Sequence, residues 1–339
     1  MPPSGHPKVS VLIPNYNYAR FLPEAIASVL AQDFTDFELL ISDDASTDDS
    51  AEIMRASAAR DPRIRLQFHP ANLGMIPHWN ACLREARGEY IKYVFADDCL
   101  ASRKTLGAMA AMLDGEPAVA LAATGRLLLD ENSRPTGIWN AFGPAGRYRG
   151  TAVITRCLQE DRNLIGEPSA VMFRRAAAGR GFDGRLRQAV DQELWMHLLE
   201  HGDLAYDPRP LCTFRRHSLQ QTAANRRPDV GPEDSLLILA RYLPQLAAGP
   251  GGFARRRILY RHLHYARRHA VRSPSVREAE AVLRAHLPFP WFPICWLWHR
   301  LSKPWVNLAR WCRRPAAEPF NPQAFAEADL IDPDGSRPV

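Results

Sequence analysis

Residues 9–95 alternate two hydrophobic patterns. Short apolar runs rich in β-branched and aromatic residues occur at Val9–Ile13, Phe37–Ile41, Ile64–Phe68 and Tyr90–Phe95. Between them, apolar residues recur at helical spacing in Phe21–Gln32 (Phe21/Leu22, Ala25/Ile26, Val29/Leu30), Ala51–Ala59 and Pro77–Ala86. A strand buried on both faces reads as a nearly unbroken apolar run, whereas an amphipathic helix repeats every 3.6 residues. Strands alternating with helices at this spacing predict an α/β fold with a parallel, helix-covered sheet. Right-handed crossovers carry every strand's C-terminal end to one edge. Ligands of open α/β sheets bind beyond that edge.

The segments expected at that edge are polar and acidic. The first strand stops at Pro14 and runs into Asn15-Tyr16-Asn17. The second ends in Ser42-Asp43-Asp44 and the fourth in Ala96-Asp97-Asp98. Adjacent carboxylates repel each other and are costly to desolvate unless a cation or proton sits with them. The Asp97/Asp98 pair alone reads equally well as an Asx-turn, with Asp98 capping a helix from near Ser102. Two such pairs after two strands of one sheet favour a divalent cation on a phosphorylated ligand. No GxGxxG follows the first strand, which argues against a dinucleotide site, and no GxxxxGK[ST] is present, so this is not a P-loop enzyme.

The segments Val9–Asn17, Ser28–Gln32, Phe37–Asp48, Asn72-Leu73-Gly74, Gly88–Ile91 and Ala96-Asp97-Asp98, in that order, resemble the opening of the family-2 glycosyltransferases. These are inverting enzymes with a GT-A fold, and the resemblance runs from residue 9 to about 222. It implies a Rossmann-like, mostly parallel sheet flanked by helices, here with a helical C-terminal extension. It also implies roles. Pro14 and Tyr16 would line a base pocket, and Asp44 would accept the N3–H of uracil or thymine, a task suited to an acceptor-only group. Asp98 would ligate Mg²⁺ or Mn²⁺ on the diphosphate of a nucleoside-diphosphate sugar, with Asp97 supporting the metal or the ribose. UDP or dTDP is favoured as the donor nucleotide.

Further on, Leu106–Leu113 has helical spacing, and Val119–Ala123 and Arg126–Leu129 have strand character. Residues 130–150 are rich in Gly, Pro and Arg and read as a variable loop near the acceptor. Ile165–Arg175 and Gly181-Phe182-Asp183 are similar to later segments of the family. Val190–Met196 resembles its Glu-Asp-x-x-Leu motif, whose Asp is the catalytic base. Val190 replaces the usual first acid, so Asp191 alone carries over, with Glu193 a secondary candidate. Phe214–Thr222 resembles the family's Tyr-Arg-x-His loop. That likeness directs His217 to the metal or diphosphate and Arg216 or Arg215 to the leaving phosphate.

The 339 residues are 46% hydrophobic and 24% charged, an ordinary globular composition. The net charge of +6 hides an asymmetry: residues 255–314 hold fourteen Lys/Arg against two Glu. Helical spacing covers 233–246, 253–270 and 275–286. Residues 287–314 then carry five of the eight tryptophans among Lys, Arg and Pro, a composition suited to an anionic membrane surface. No nucleic-acid motif accompanies the basic segment, so no nucleic acid is expected. The six cysteines are scattered, the N-terminus has no apolar leader, and no run approaches the ~20 apolar residues of a spanning helix. The expected location is cytoplasmic, peripheral at the inner face of the membrane. The expected division is a catalytic domain over 1–225 (nucleotide half 1–100, acceptor half 101–225), a basic helical module over 226–314 and a disordered tail over 315–339. The expected activity is glycosyl transfer to a glycan or lipid-linked acceptor in surface polysaccharide synthesis. The alternative is a nucleotide-sugar-binding or scaffold protein with a decayed site.

Overall fold

A computed structural model describes residues 5–301, apart from 141, 219, 221–229, 249–251, 270–272, 288–290, 292 and 299. The alternating pattern of the first half folds into β1 (Val9–Asn15), α1 (Leu22–Leu30), β2 (Phe37–Asp43), α2 (Ser50–Ala58), β3 (Ile64–Phe68), α3 (Met75–Glu85), β4 (Tyr90–Tyr93) and α4 (Thr105–Asp114). Every residue of β1, β2 and β4 is buried, which is why these runs are so apolar. Strands β3, β2, β1 and β4 pair in parallel, in that spatial order. Their C-terminal ends therefore share one edge.

The second half adds β5 (Val119–Leu129), β6 (Pro135–Trp139), β7 (Gly146–Tyr148), α5 (Gly150–Glu160), β8 (Val171–Arg174), α6 (Val190–Leu199) and β9 (Asp203–Arg215). Strand β8 enters antiparallel between β4 and β5, and β9 lies parallel to β5. The result is a nine-stranded mixed sheet with helices on both faces. The stretch expected to be a loop over 130–150 instead holds β6 and β7, which pair with β5 and β9. Their Gly and Pro content suits short edge strands. Strand β5 is continuous through Gly125, where an added Cβ would stand 2.3 Å from the Pro208 carbonyl oxygen. Only glycine admits so close a backbone approach at this bulge.

The helix expected over 233–246 divides into α7 (Val230–Arg241) and α8 (Leu243–Ala248). Pro244 has no N–H to continue the helical ladder, so the chain restarts there. Helices α9 (Gly252–His269) and α10 (Pro274–Ala285) follow, the latter capped by Ser273 Oγ on Val276 N at 3.3 Å. Leu236, Leu239, Leu259, Leu263 and Leu283 of these helices, with Tyr242 between α7 and α8, share one core with Trp195 and Leu198 of α6. Ala189 offers α6 no side-chain cap. Asp234 of α7 supplies one across the interface, its Oδ2 accepting from the amides of Gln188 (2.7 Å) and Ala189 (2.8 Å). The C-terminal helices thus hold α6 in place. Among the described residues no helix is long and apolar enough to cross a membrane. The tail over 315–339 and residues 302–314 of the Trp-rich segment lie outside the described residues.

Candidate active site

Beyond the ends of β1, β2 and β4 lies a cavity of about 450 Å³. Pro14, Tyr16, Asp44, Asp97, Asp98 and Asp191 all line it. The sheet edge has therefore brought six residues from four separate segments together.

At the end of β2 the two aspartates diverge. Asp43 turns inward, accepting from Asn15 Nδ2 (2.8 Å), Ser46 Oγ (2.6 Å) and Ser46 N (2.9 Å), and so ties the first loop to the second. Asp44 faces the cavity. Its Oδ1 accepts from Leu73 N at 2.8 Å and its Oδ2 from Gly74 N at 3.0 Å. Asn72 Nδ2 binds its carbonyl oxygen at 3.1 Å, and Gly74 adopts φ +82° to turn the chain around it. A carboxylate oxygen has two lone pairs, so each still has room for a ligand N–H. Trp79 and Phe95 form an adjoining wall, their rings 4.7 Å apart.

At the end of β4, Asp98 is 2% exposed and accepts from Arg215 N at 2.9 Å. It caps no helix, since α4 begins only at Thr105. Burial and the adjacent Asp97 charge hold its carboxyl well above the usual carboxylate range. Asp97 Oδ2 stands 3.0 Å from Nε2 of His217, whose side chain is buried against Tyr18 and Phe21. Nδ1 of His217 has no hydrogen-bond partner among the described residues. Arg215 is fully buried and committed elsewhere, to Glu24 Oε2, Ser133 Oγ and the Asp97 carbonyl, each at 2.7 Å. Arg216 donates its backbone N–H to Leu129 O at 2.9 Å, and its exposed side chain is not among the residues lining the cavity.

Asp191 stands in the first turn of α6. Its Oδ2 accepts from Asn163 Nδ2 at 3.0 Å and its Oδ1 from Gln192 N at 2.7 Å. Burial, with the Glu167 charge second, pushes its carboxyl up to about 7. Glu167 lines the same cavity and lies 3.0 Å from the buried Arg126 Nε. Val190 points into the core, so the acidic neighbour missing at that position is present instead as Glu167. Glu193 faces away from this cavity, ion-paired to Arg180 (2.8 Å) and Arg241 (3.3 Å). Asn163 and Glu167 carry no separate signal in the sequence, although Glu167 lies within the family-like segment Ile165–Arg175.

Asp44, Asp97, Asp98, Glu167 and Asp191 line the cavity, and among the described lining residues there is no Lys or Arg. An anionic ligand at such a wall is repelled unless a cation or a proton offsets the carboxylates. The adjacent Asp97 and Asp98 carboxylates are hard oxygen donors that fit Mg²⁺ or Mn²⁺, while His217, which is not among the residues lining the cavity, pairs with Asp97 from behind.

A family model for glycosyl transferase family 2 matches residues 10–182. The chain belongs to glycosyltransferase family 2. Among relatives of this glycosyltransferase, a Bacillus subtilis protein assigned as glycosyltransferase EpsE is 31% identical over 231 residues, covering 66% of this chain and 74% of its own. The B. subtilis protein assigned as teichuronic acid biosynthesis glycosyltransferase TuaG is 28% identical over 200 residues, 59% of this chain and 75% of its own. In fold, the glycosyltransferase superposes on Staphylococcus aureus TarS 1–349 in complex with UDP-GlcNAc with a TM-score of 0.60, at 20% identity over 83% of this chain and 82% of that one. The mannosyltransferase PcManGT from Pyrobaculum calidifontis, in complex with GDP-Man and Mn²⁺, gives 0.52 at 18% identity over 90% and 84%. The fold is accordingly GT-A. Asp191 and His217 lie beyond the segment that the family model matches, so their placement rests on the geometry above.

Proposed function

We propose that this family-2 glycosyltransferase moves a sugar from a nucleoside diphosphate, UDP or dTDP in preference, to a hydroxyl of a glycan or lipid-linked acceptor, with inversion. The observation that carries the reading is the cavity wall, where the Asp44 carboxylate, the Asp97/Asp98 pair and the Asp191 carboxyl, pushed up to about 7, stand together. Asp44 receives the pyrimidine N3–H, and Pro14 and Tyr16 flank the base. Asp97, Asp98 and His217 would hold Mg²⁺ or Mn²⁺, which when bound supplies positive charge to the departing diphosphate. Asp191 takes the proton of the acceptor hydroxyl while that oxygen bonds to the anomeric carbon. The bond from that carbon to the diphosphate oxygen breaks with its electron pair on the diphosphate, and a single displacement inverts the centre. A base titrating near 7 is half-ionised at neutral pH, a useful setting for proton transfer. Arg216 reaches the leaving phosphate only if its exposed side chain swings inward.

The teichuronic acid biosynthesis in TuaG's name and the UDP-GlcNAc of TarS support a role in polysaccharide synthesis with a uridine donor. A decayed, purely binding site would rest on Val190 alone, and Glu167 answers that gap. The acceptor is delivered at an anionic membrane surface, at the inner face. Ile294, Trp296, Leu297, Trp298 and Leu301 are 43–63% exposed. Arg256 stacks on Trp291 at 3.8 Å, and Arg257 and Arg300 lie over Trp298 and Trp296 at 5.6 Å. An exposed apolar patch bearing guanidinium groups suits anionic lipid headgroups.

The test is transfer from α-linked UDP- and dTDP-sugars to lipid-linked acceptors on anionic vesicles, with the product read by NMR. A β-linked product is expected. An α-linked product, or donor turnover that Asp191→Asn leaves intact, contradicts the reading.

A further inference from the structure

The last turn of α6 and the residues just after it carry a second cluster of ligand-type side chains. His197, Glu200 and His201 follow the i, i+3, i+4 spacing that places side chains on one helical face. One ligand atom from each lies within 4.8 Å of the others. We propose that these three residues form a binding site for a zinc-like transition-metal ion, separate from the donor cavity.

Four observations carry this. His197 Nδ1 is buried without a hydrogen-bond partner among the described residues, 3.5 Å from Glu200 Oε2. At that distance the two atoms make only a loose pair with each other, and both lie close enough to approach one ion. Glu200 Oε1 accepts from Gln245 Nε2 of α8 at 2.9 Å, which fixes the carboxylate and leaves Oε2 open. A ligand held by an outer hydrogen bond in this way is typical of a metal site. The His197 and His201 rings stand 5.7 Å apart and perpendicular, and His201 is exposed and free to turn inward. The site also sits at the C-terminal end of α6, where backbone carbonyls favour a cation.

The donor set sets the ligand class. Two imidazoles and one carboxylate suit zinc, cobalt or nickel rather than magnesium or calcium. The positive groups facing His197 are Arg180 and Arg241, and the buried Glu193 pairs with both. The core thiols Cys82 and Cys157 offer little competition, since burial pushes both up to about 12. At about 1.5 Å per residue, His197 lies about 9 Å along the helix axis from Asp191. An ion here would fasten the far end of the helix that carries the base to α8, through Glu200 and Gln245.

The experiment is calorimetric titration of the untagged full-length chain with Zn²⁺ after chelator dialysis, in an Asp98→Ala background that weakens the donor-side site. One equivalent is expected. His201→Ala, at an exposed position where folding is not at stake, is expected to weaken it at least tenfold. Co²⁺ is then added to the same background, with visible d–d absorption expected and its loss expected in His197→Ala/His201→Ala. Zinc binding that His201→Ala leaves unchanged, or no saturable zinc binding at all, overturns the proposal.

Discussion

Asn163 donates its side-chain amide to Asp191 at 3.0 Å, and the same amide group holds the loop that carries Glu167. Its Nδ2 also reaches Gly166 O at 2.9 Å, while its Oδ1 accepts from the amides of Ile165 and Gly166, each at 3.1 Å. One side chain therefore sets both the direction of the base and the distance to the neighbouring carboxylate that perturbs it. Asn163 favours the charged form of Asp191, whereas burial and Glu167 oppose it. Asn163→Ala is expected to move the acid limb of the kcat/KM profile to higher pH and to lower kcat about 10- to 100-fold, the scale of a lost hydrogen bond to a charged group. A pH–rate profile checks this. An unchanged midpoint would detach Asn163 from the base.

Asp191→Asn separates chemistry from stability. The folded carboxyl titrates near 7, against an ordinary value of 3.8. The folded state thus binds this proton more tightly than the unfolded chain. Its contribution favours folding below that ordinary value and is lost as pH rises toward 7. At pH 8 the wild type carries a charge disfavoured by its surroundings, and the amide does not. After allowance for solvent at the cavity wall, Asp191→Asn is expected to gain about 1–2 kcal/mol at pH 8 and little at pH 4. Transfer should fall to background while nucleotide binding persists. Thermal unfolding at both pH values, a product assay for transfer and calorimetry of UDP binding check the three in turn.

Glu193 carries a structural load. It is 1% exposed and bridges Arg180, Arg241 and Tyr242, joining α6 to α7 and the residue after it. Glu193→Gln is expected to destabilise the fold by about 1–3 kcal/mol, the scale of lost charge-assisted hydrogen bonds to two arginines that keep partial contact with solvent. Urea unfolding measures it. A stable but inactive Glu193→Gln variant would instead return Glu193 to the list of candidate bases.

Asp44→Asn exchanges an acceptor for a donor opposite the N–H groups of Leu73 and Gly74 and, in the proposed function, that of the base. Wherever the new amide points, two donors face each other, so UDP affinity is expected to fall about 10- to 100-fold. Calorimetry with UDP reads the change, and an unaltered affinity would remove Asp44 from the base pocket.

Much of the nucleotide half was legible because its physics is local. Val9–Ile13 and Phe37–Ile41 are buried on both faces and read as apolar runs, and a shared crossover hand then aligns Asp44 with Asp98. Strand β9 was not legible: Asp203–Arg215 is interrupted by Pro208 and Pro210, and its register shifts at the bulge against Gly125. Helix α5 was hidden by the glycines that flank its start. The site was legible where one strand end or motif delivers a side chain, as at Asp97, Asp98 and Asp191. It was not legible where the partner arrives from far along the chain. Glu167 perturbs Asp191 across the cavity, Asp234 caps α6 from 45 residues beyond Ala189, and Arg215 is pinned by Glu24 from 191 residues away. No local pattern encodes such pairs.

The central claim is that the carboxylate-lined cavity holds a nucleoside-diphosphate sugar through a divalent cation. The most direct measurement is thermal unfolding with UDP-, dTDP- and GDP-sugars, each with and without Mn²⁺ or Mg²⁺, for the wild type and Asp98→Ala. Ligand that binds only the folded state raises the melting temperature by mass action. The expected result is a rise with a UDP- or dTDP-sugar that requires the metal and disappears in Asp98→Ala. An equal rise without metal, or one that survives Asp98→Ala, would contradict it.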